Sequence, residues 1–344
     1  MRVDLLTGHL PAPEGTAAGR VLLASCEGLL AEGVEVHVTS WAPAQPVDLP
    51  PWCTWSPLAS EAAWRTRSRA LLRPRSDVLR VGWEPAGLAV ADDPLSAAAL
   101  PAGGVATLHY ATALDVAALG SRPTARQVQD LRADRRLRRL PRRRLLTYSE
   151  RVAGWADGTA IPVALPVPPQ AIRAVEEPVA ALVADWRWPP NRMALRSLLA
   201  GWPAVRAAVP GARLLLAGRG DVGVADGVGV QVLGPVARSV DVLSRAAVLA
   251  FPCPHTSGPK VKVLEAAALG LAVVTTRAGA EGLGSDAVVV SDVDGFAAAL
   301  AAVLRQPELR ADLAGRARAD VLAVHAPRPA ARVRKAALEA AQRP

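Results

Sequence analysis

Apolar positions along the chain follow two alternating rhythms. Arg2 to Leu6 is a short apolar run, and His9 to Gly19 is a loop punctuated by Pro11, Pro13, Gly15 and Gly19. From Arg20 to Ala31 apolar residues recur at helical spacing (Val21, Leu22, Ala24, Cys26, Leu29, Leu30). Gly33 then stands where a helix C-cap belongs, and Val34 to Val38 alternates with period two. Strand, helix and strand in that order predict a βαβ unit, the seed of a parallel sheet covered by helices. Gly104 to Leu108 is a further strand-like run leading into His109. Arg126 to Arg144 is polar, arginine-dense and helix-compatible. Leu145 to Tyr148 reads as a strand, with a helix opening at Ser149-Glu150.

Four prolines then fall within residues 161–169. Proline fixes φ and removes a donor, so this stretch predicts an extended linker and a domain boundary. The strand–helix rhythm restarts beyond it. Strands are expected at 179–184, 213–217, 228–233, 247–251, 272–275 and 287–290, with helices at 191–209 and near 236–246, 260–269, 294–305 and 307–323. A length of 344 residues exceeds what one hydrophobic core usually serves. The expectation is an α/β protein of two doubly wound domains, residues 1–165 and 166–326, followed by a last helix over 327–344.

Composition narrows the class. Hydrophobic residues make up 51% and charged residues 21%, which excludes disorder over most of the chain. No apolar run approaches the ~18 residues of a membrane span. The start MRVDLLTGHL lacks the basic segment and cleavage site of a signal peptide, and Cys26, Cys53 and Cys253 are too scattered for a disulfide framework. A cytoplasmic protein is expected. The formal charge of +9 favours anionic partners without choosing among them.

Two segments carry phosphate-binding patterns. Gly218-Arg219-Gly220-Asp221-Val222-Gly223 matches G-x-G-x-x-G directly after an expected strand. A dinucleotide site also needs a helix opening on those glycines, so that its N–H groups face the pyrophosphate. Here Gly227 and Gly229 follow and the next regular element reads as a strand, so a glycine-rich turn is the better reading. The stronger pattern runs from Phe251 to Gly270, FPCPHTSGPKVKVLEAAALG. A strand ends at Phe251, a loop carries Ser257, Gly258 and Pro259, and a helix begins near Lys260. Orphan N–H groups and the helix dipole make such a start a ready anion site. Gly258 admits a phosphate close to the backbone. Lys262 either adds a cation to it or is solvated. Glu265, three residues further on roughly the same face, either accepts from ribose hydroxyls or complements the dipole.

The stretch from Ser257 to Leu283 resembles the donor-site signature of bacterial family 4 retaining glycosyltransferases with the GT-B fold. That signature reads G-x-K-x-x-E-A-x-A-x-G-x-P-V-V-x-T, followed by G-x-E-G-L. Leu182 to Asn191 (LVADWRWPPN) resembles the opening of the C-terminal domain in one branch of that family, and Gly218 to Gly220 fits its next turn. Tyr148-Ser149-Glu150 and Thr107-Leu108-His109 resemble further family elements. The resemblance implies two Rossmann-like domains facing across a cleft. Residues 1–165 would bind the acceptor, 166–326 the nucleotide-sugar donor, and the 327–344 helix would cross back to the first domain.

Site roles follow from the resemblance position by position. Glu265 matches the residue that contacts the ribose, and backbone N–H groups near Gly258–Val261 hold the diphosphate. Lys262 is the cation for the leaving diphosphate, and His109 lies by the reacting sugar. Gly15-Thr16 approaches the diphosphate from the other domain, and Glu281 stands beside the donor. His255 in the donor loop either touches the sugar or points to solvent. Ser257 occupies a position where many members carry a glutamate. The usual Arg and Lys after the first strand of the C-terminal domain are absent, with Asp185 and Pro190 close by; Arg187, Arg219 and Lys262 are the candidates to supply that charge.

The implied activity is transfer of a sugar from a nucleoside diphosphate to a hydroxyl of a secondary metabolite, glycolipid or polysaccharide precursor, with retention at the anomeric carbon. The nucleotide sugar is a co-substrate; no metal and no other cofactor is expected. Asn191 reads as a helix N-cap, and Trp186, Trp188 and Trp202 as packing residues of the interdomain region. The 126–144 arginine segment is either a solvated helix face or a contact for an anionic acceptor or membrane headgroups on the inner membrane face. No aromatic interleaves it, which disfavours nucleic acid. Two rivals stand beside the enzyme reading: a non-catalytic nucleotide-sugar-binding or scaffold protein of the same fold, and a basic nucleic-acid-associated protein.

Overall fold

The computed structural model describes residues 1–13, 16–41, 48–58, 83–120, 122–173, 175–284 and 286–343. They form two compact units, residues 1–166 with 325–344, and residues 167–324.

In the first unit the described elements run β1 (Arg2–Thr7), α1 (Ala17–Ala31), β2 (Glu35–Ser40), β3 (Thr54–Pro57), β4 (Leu88–Ala91), β5 (Val105–Leu108), α2 (Thr112–Leu119), α3 (Ala125–Leu137), β6 (Leu145–Thr147), α4 (Glu150–Ala156) and β7 (Thr159–Ala160). The sheet order is β3-β2-β1-β4-β5-β6-β7, with every pairing parallel. All of β5 and β6 and the last five residues of β1 are buried, as strands covered on both faces must be.

The second unit follows the same plan. Its elements are β8 (Val179–Val183), α5 (Pro189–Ala208), β9 (Arg213–Ala217), β10 (Val230–Gly234), α6 (Val240–Leu243), β11 (Val248–Phe251), α7 (Val261–Ala268), β12 (Ala272–Thr275), β13 (Val289–Val290), α8 (Phe296–Arg305) and α9 (Pro307–Val324). Its parallel sheet has the order β10-β9-β8-β11-β12-β13. Each sheet therefore reverses its strand order once, between β1 and β4 in one and between β8 and β11 in the other. Such reversals open a crevice at the carboxyl ends of the strands.

Local chemistry explains where the helices stop. Gly33 sits one position beyond the C-cap of α1 at φ +75°. From there its N–H reaches Leu30 O at 3.0 Å and the Val34 N–H reaches Leu29 O at 2.9 Å, the paired bonds of a Schellman turn. The arginine segment is not one helix. A Thr124/Gln127 capping box starts α3, which ends at Leu137, and Arg142–Arg144 form a separate single 3-10 turn. Pro141, which has no N–H to give, separates the two.

The last helix, α10 (Pro327–Gln342), lies in the first unit. His325 begins the return: its O accepts from Leu165 N at 2.8 Å, and its Nδ1 lies 2.9 Å from Val163 O, which places the proton on Nδ1. α10 then packs on α1. Gly28 makes this possible, because a Cβ there would collide with the Pro327 carbonyl and come within 2.8 Å of Ala331 Cβ. At the end of α1, Glu32 pairs with Arg328 and Arg332 at 2.8 and 3.1 Å, and Lys335 Nζ donates to the Glu32 carbonyl. Gly28→Leu should therefore destabilise the protein by about 2 kcal/mol through overpacking. A urea denaturation midpoint unchanged from wild type would refute this seam as a close contact.

Candidate active site

Polar side chains collect at both sheet reversals. In the second unit the loop after β8 is zipped to the turn after β9, with Ala184 N donating to Ala217 O and Trp186 N donating to Arg219 O at 2.8 Å. Gly218, at φ +135°, abuts the Ala184 carbonyl, and a Cβ on Gly220 would lie 2.9 Å from Arg187 Cγ. These glycines serve contact between two loops. No helix opens on them, and the next element is strand β10. The G-x-G-x-x-G match is thus a packing feature. The Arg219 side chain is exposed. Arg187 is held by Asp185 through bonds of 2.9 and 2.5 Å, and that pairing lowers the Asp185 carboxyl below its ordinary range.

Asn191 corrects the sequence reading. The N-cap of α5 is Trp188, whose side chain caps nothing; Pro189 and Pro190 follow, and Asn191 is the third helical residue. Its buried amide donates from Nδ2 to Asp185 O at 2.8 Å and accepts at Oδ1 from Lys262 Nζ at 2.6 Å. One side chain thereby joins the loop after β8 to the start of α7. Trp186 and Trp202 lie within the core of this unit, and Trp188 is exposed.

The loop between β11 and α7 is built around a second lysine, one that sequence reasoning passed over. Lys260 is buried, and its Nζ donates to the carbonyls of Thr256, Ser257 and Gly258. Gly258 turns the chain at φ +76°. α7 then starts at Val261 with no side chain capping it, leaving its first N–H groups and its dipole as a site for an anion. Lys262 lies in that first turn, with Nζ 4.3 Å from the centre of the Phe251 ring. Burial lowers its pKa to about 8, against partial compensation from Cys253 and Glu265. Glu265 is half-buried on the same helix and His255 is exposed on the loop. In the turn after β12, Glu281 keeps both carboxylate oxygens buried with no hydrogen-bond partner among the described residues.

In the first unit the reversal is organised by two adjacent carboxylates after β4. Asp93 ties loops together, accepting from Gly8 N at 2.7 Å, from the backbone N–H groups of Leu95 and Ser96 at 2.9 Å, and from Ser96 Oγ. Asp92 is buried and paired with Arg334 of α10 at 3.0 Å. The same guanidinium donates to Tyr148 OH at 3.2 Å. Burial alone would raise the Asp92 pKa, but His109 and Arg334 outweigh it and bring it to about 2. His109 follows β5, with Nε2 3.7 Å from Asp92, its ring stacked on His9 and tilted against Tyr148. Thr16 is engaged as the N-cap of α1, accepting from Gly19 N at 3.2 Å. Gly15 and the Arg126 side chain lie outside the described residues.

The structure thus brings Gly258, Lys262 and Glu265 onto one loop–helix junction and places His109 and Thr16 in the other unit. Asp92, Arg334 and Lys260 are the additions. Asp92-Asp93 directly after an apolar strand was a usable sequence signal. Among the described residues no group of three or more His, Cys, Asp or Glu side chains is arranged to hold a metal ion, and no helix is long and apolar enough to cross a membrane.

Residues 177–306, all within the second unit, match the family model of glycosyl transferases group 1. Solved structures extend the likeness to both units. Sucrose-phosphate synthase from Thermosynechococcus elongatus shares 15% identity at a TM-score of 0.68, over 98% of this chain and 96% of its own. HepE from Anabaena, in complex with UDP and glucose, shares 12% at 0.66, over 98% and 99%. A mutant of TarM from S. aureus, in complex with fondaparinux, alpha-GlcNAc-glycerol and UDP, shares 11% at 0.60 over 80% of this chain; the alignment spans 58% of the TarM chain. No curated protein sequence matches significantly. The family match marks the second unit as a glycosyltransferase domain, and the solved structures give the fold as GT-B.

The Asp92–Arg334 pair generates a stability prediction. Arg334→Met removes one partner of a buried ion pair and should cost about 3–5 kcal/mol. Because the folded Asp92 pKa lies below its unfolded value, its contribution is complete above about pH 4 and is lost as pH falls toward 2. Chemical denaturation of wild type and Arg334→Met across pH 2–7 measures both. A variant as stable as wild type at pH 7 would show that the pair does not hold α10 in place.

Proposed function

We propose that this protein is a retaining glycosyltransferase that moves a sugar from a nucleoside diphosphate to a hydroxyl acceptor, with the donor nucleotide in the second unit and the acceptor in the first. The observation that carries the reading is the junction at residues 258–265. An uncapped helix start, a glycine turn, an under-solvated lysine and a carboxylate one turn later lie together at the strand-order reversal of a group 1 glycosyltransferase domain. In this arrangement the N–H groups of α7 and Lys262 receive the diphosphate and stabilise the charge that builds on it as the sugar leaves. Glu265 accepts from the ribose hydroxyls. The buried oxygens of Glu281 are suited to sugar hydroxyls, since they have no donor among the described residues.

Retention is accounted for without a second catalytic carboxylate. As the bond from the anomeric carbon to the phosphate oxygen breaks, the acceptor oxygen bonds to the same face of that carbon, and its proton passes to the departing phosphate oxygen. His109, packed between His9 and Tyr148, then stands beside the reacting sugar. Neither step calls for a metal or another cofactor. HepE and TarM, whose structures hold UDP, make UDP the first nucleotide to try.

Calorimetric titration with UDP, GDP, ADP and dTDP tests the donor site. One of them should bind, and Glu265→Ala should weaken it tenfold to about a hundredfold, the range for hydrogen bonds to a charged group. Failure of all four would sink the assignment. A second arm follows from the lowered Lys262 pKa. A diphosphate favours the ammonium form, so affinity should fall as pH rises above about 8, by up to about tenfold per pH unit. In Lys262→Met that dependence should vanish. A pH-independent Kd in wild type would remove Lys262 from the diphosphate site.

A further inference from the structure

At the other end of the first sheet lies a cavity of about 380 Å³, within the ~300–1,000 Å³ range of small-molecule sites. Its walls come from the loop that leads into the amino end of β5, from the end of α3, and from Arg144, the residue before β6. His109 follows the opposite end of β5, four residues of strand away, roughly 13 Å. The cavity is therefore separate from the site described above.

Its lining joins two kinds of chemistry. Leu100, Leu137 and Leu140 form an apolar wall continuous with the core under β5 and β6, and Leu100 and Leu140 are only partly buried there. Gly103, at φ +91°, has open space where a side chain would stand, while a Cβ on Gly104 would press on Leu100 at 2.8 Å. Against this apolar surface stand two arginines, Arg136 and Arg144. Arg144 Nε is buried and has no hydrogen-bond partner among the described residues. Burial also lowers the pKa of Arg136, and Arg139 adds like charge to it. Two half-buried guanidinium groups lining one cavity form a site suited to an anion. The leucine wall adds the second requirement, an apolar body attached to the anion.

We propose that this cavity binds the acidic end of an amphipathic molecule, with a phosphate or carboxylate on Arg136 and Arg144 and the attached apolar segment against Leu100, Leu137 and Leu140. A dispersed acyl or alkyl anion and a lipid within a bilayer share that chemistry. The inference stands apart from the glycosyl-transfer reading, and its test reads binding alone.

The full-length protein is titrated by calorimetry with decyl phosphate below its micelle concentration, with inorganic phosphate and decanol as controls. Decyl phosphate should saturate one site, and each control should bind at least tenfold more weakly. Arg144→Gln should weaken decyl phosphate at least tenfold. Ala102→Trp, a change at an exposed lining residue that alters no charge, should block it, with thermal melting reporting that both variants are folded. Sedimentation with phosphatidylglycerol/phosphatidylcholine vesicles separates the sources. Loss of vesicle binding in both variants supports the site and points to a membrane lipid. Decyl phosphate binding without vesicle binding supports the site and points to a dispersed molecule. No saturable decyl phosphate binding overturns the proposal, and so does binding that both variants leave unchanged, which would assign the affinity to exposed arginines alone.

Discussion

A parallel sheet covered on both faces restricts where chemistry can stand. Its strands must be apolar on both sides, and β5, β6, β8, β11 and β12 are buried along almost their whole length. The polar side chains that form the two clusters stand mostly where strands end, although Asp4 in β1 and Thr107 in β5 are buried polar residues within strands. Asp92 and Asp93 follow β4, His109 follows β5, Asp185 follows β8, the 252–260 loop follows β11, and Thr276 follows β12. The reversal of strand order then decides which of these ends have room beside them, because loops leaving neighbouring strands in opposite directions do not cover one another. Both clusters described above lie at such a reversal, each in its own unit.

Charge brought into these places has to be matched, and the two lysines of the α7 junction show what different matching does. The Lys260 ammonium is surrounded by three carbonyls, which hold the loop in its turn. Lys262 has Asn191 Oδ1 and the face of Phe251. An ammonium carries three donors, and Asn191 uses one. Lys262 is consequently under-solvated, its pKa is depressed, and it retains donors for an incoming anion. One lysine is structural and its neighbour two residues away is reactive in the electrostatic sense, although the two look alike in sequence. Asp92 is the converse case. It is stripped of water, yet Arg334 and His109 keep it ionised, and it ties the last helix to the end of β4.

This contrast explains what the sequence did and did not disclose. Period-two and helical runs, a proline cluster and a Gly-Pro before a helix are local signals, and they placed the strand–helix series and the 258–265 junction. The group 1 match falls on the second unit, where the donor signature was expected, and the solved structures bear out the two-domain α/β fold. Contacts between residues far apart in the chain leave no such mark. Asp92 and Arg334 are 242 positions apart, and Asn191 and Lys262 are 71 apart. At Asn191 the local pattern misleads, because proline-proline before a polar residue resembles a capped helix start. In fact both prolines are already helical, and the amide points across to the neighbouring loop. The arginine segment was read as one polar stretch because nothing local shows that two of its members border a cavity.

Glycine illustrates the same limit from the opposite side. A glycine pattern records that something comes close to the backbone, without saying what. At Gly218 it is the carbonyl of Ala184, at Gly220 the side chain of Arg187, and at Gly28 a turn of α10. The G-x-G-x-x-G match was thus complete in sequence while its glycines served the mutual packing of loops. Gly258 differs because the residues around it are informative together: it lies in the loop after β11, three residues before the start of an uncapped helix, with a cation in the first turn and a carboxylate one turn on. Spacing relative to a helix start carries directional physics, the dipole and the orphan N–H groups, which spacing between glycines alone does not.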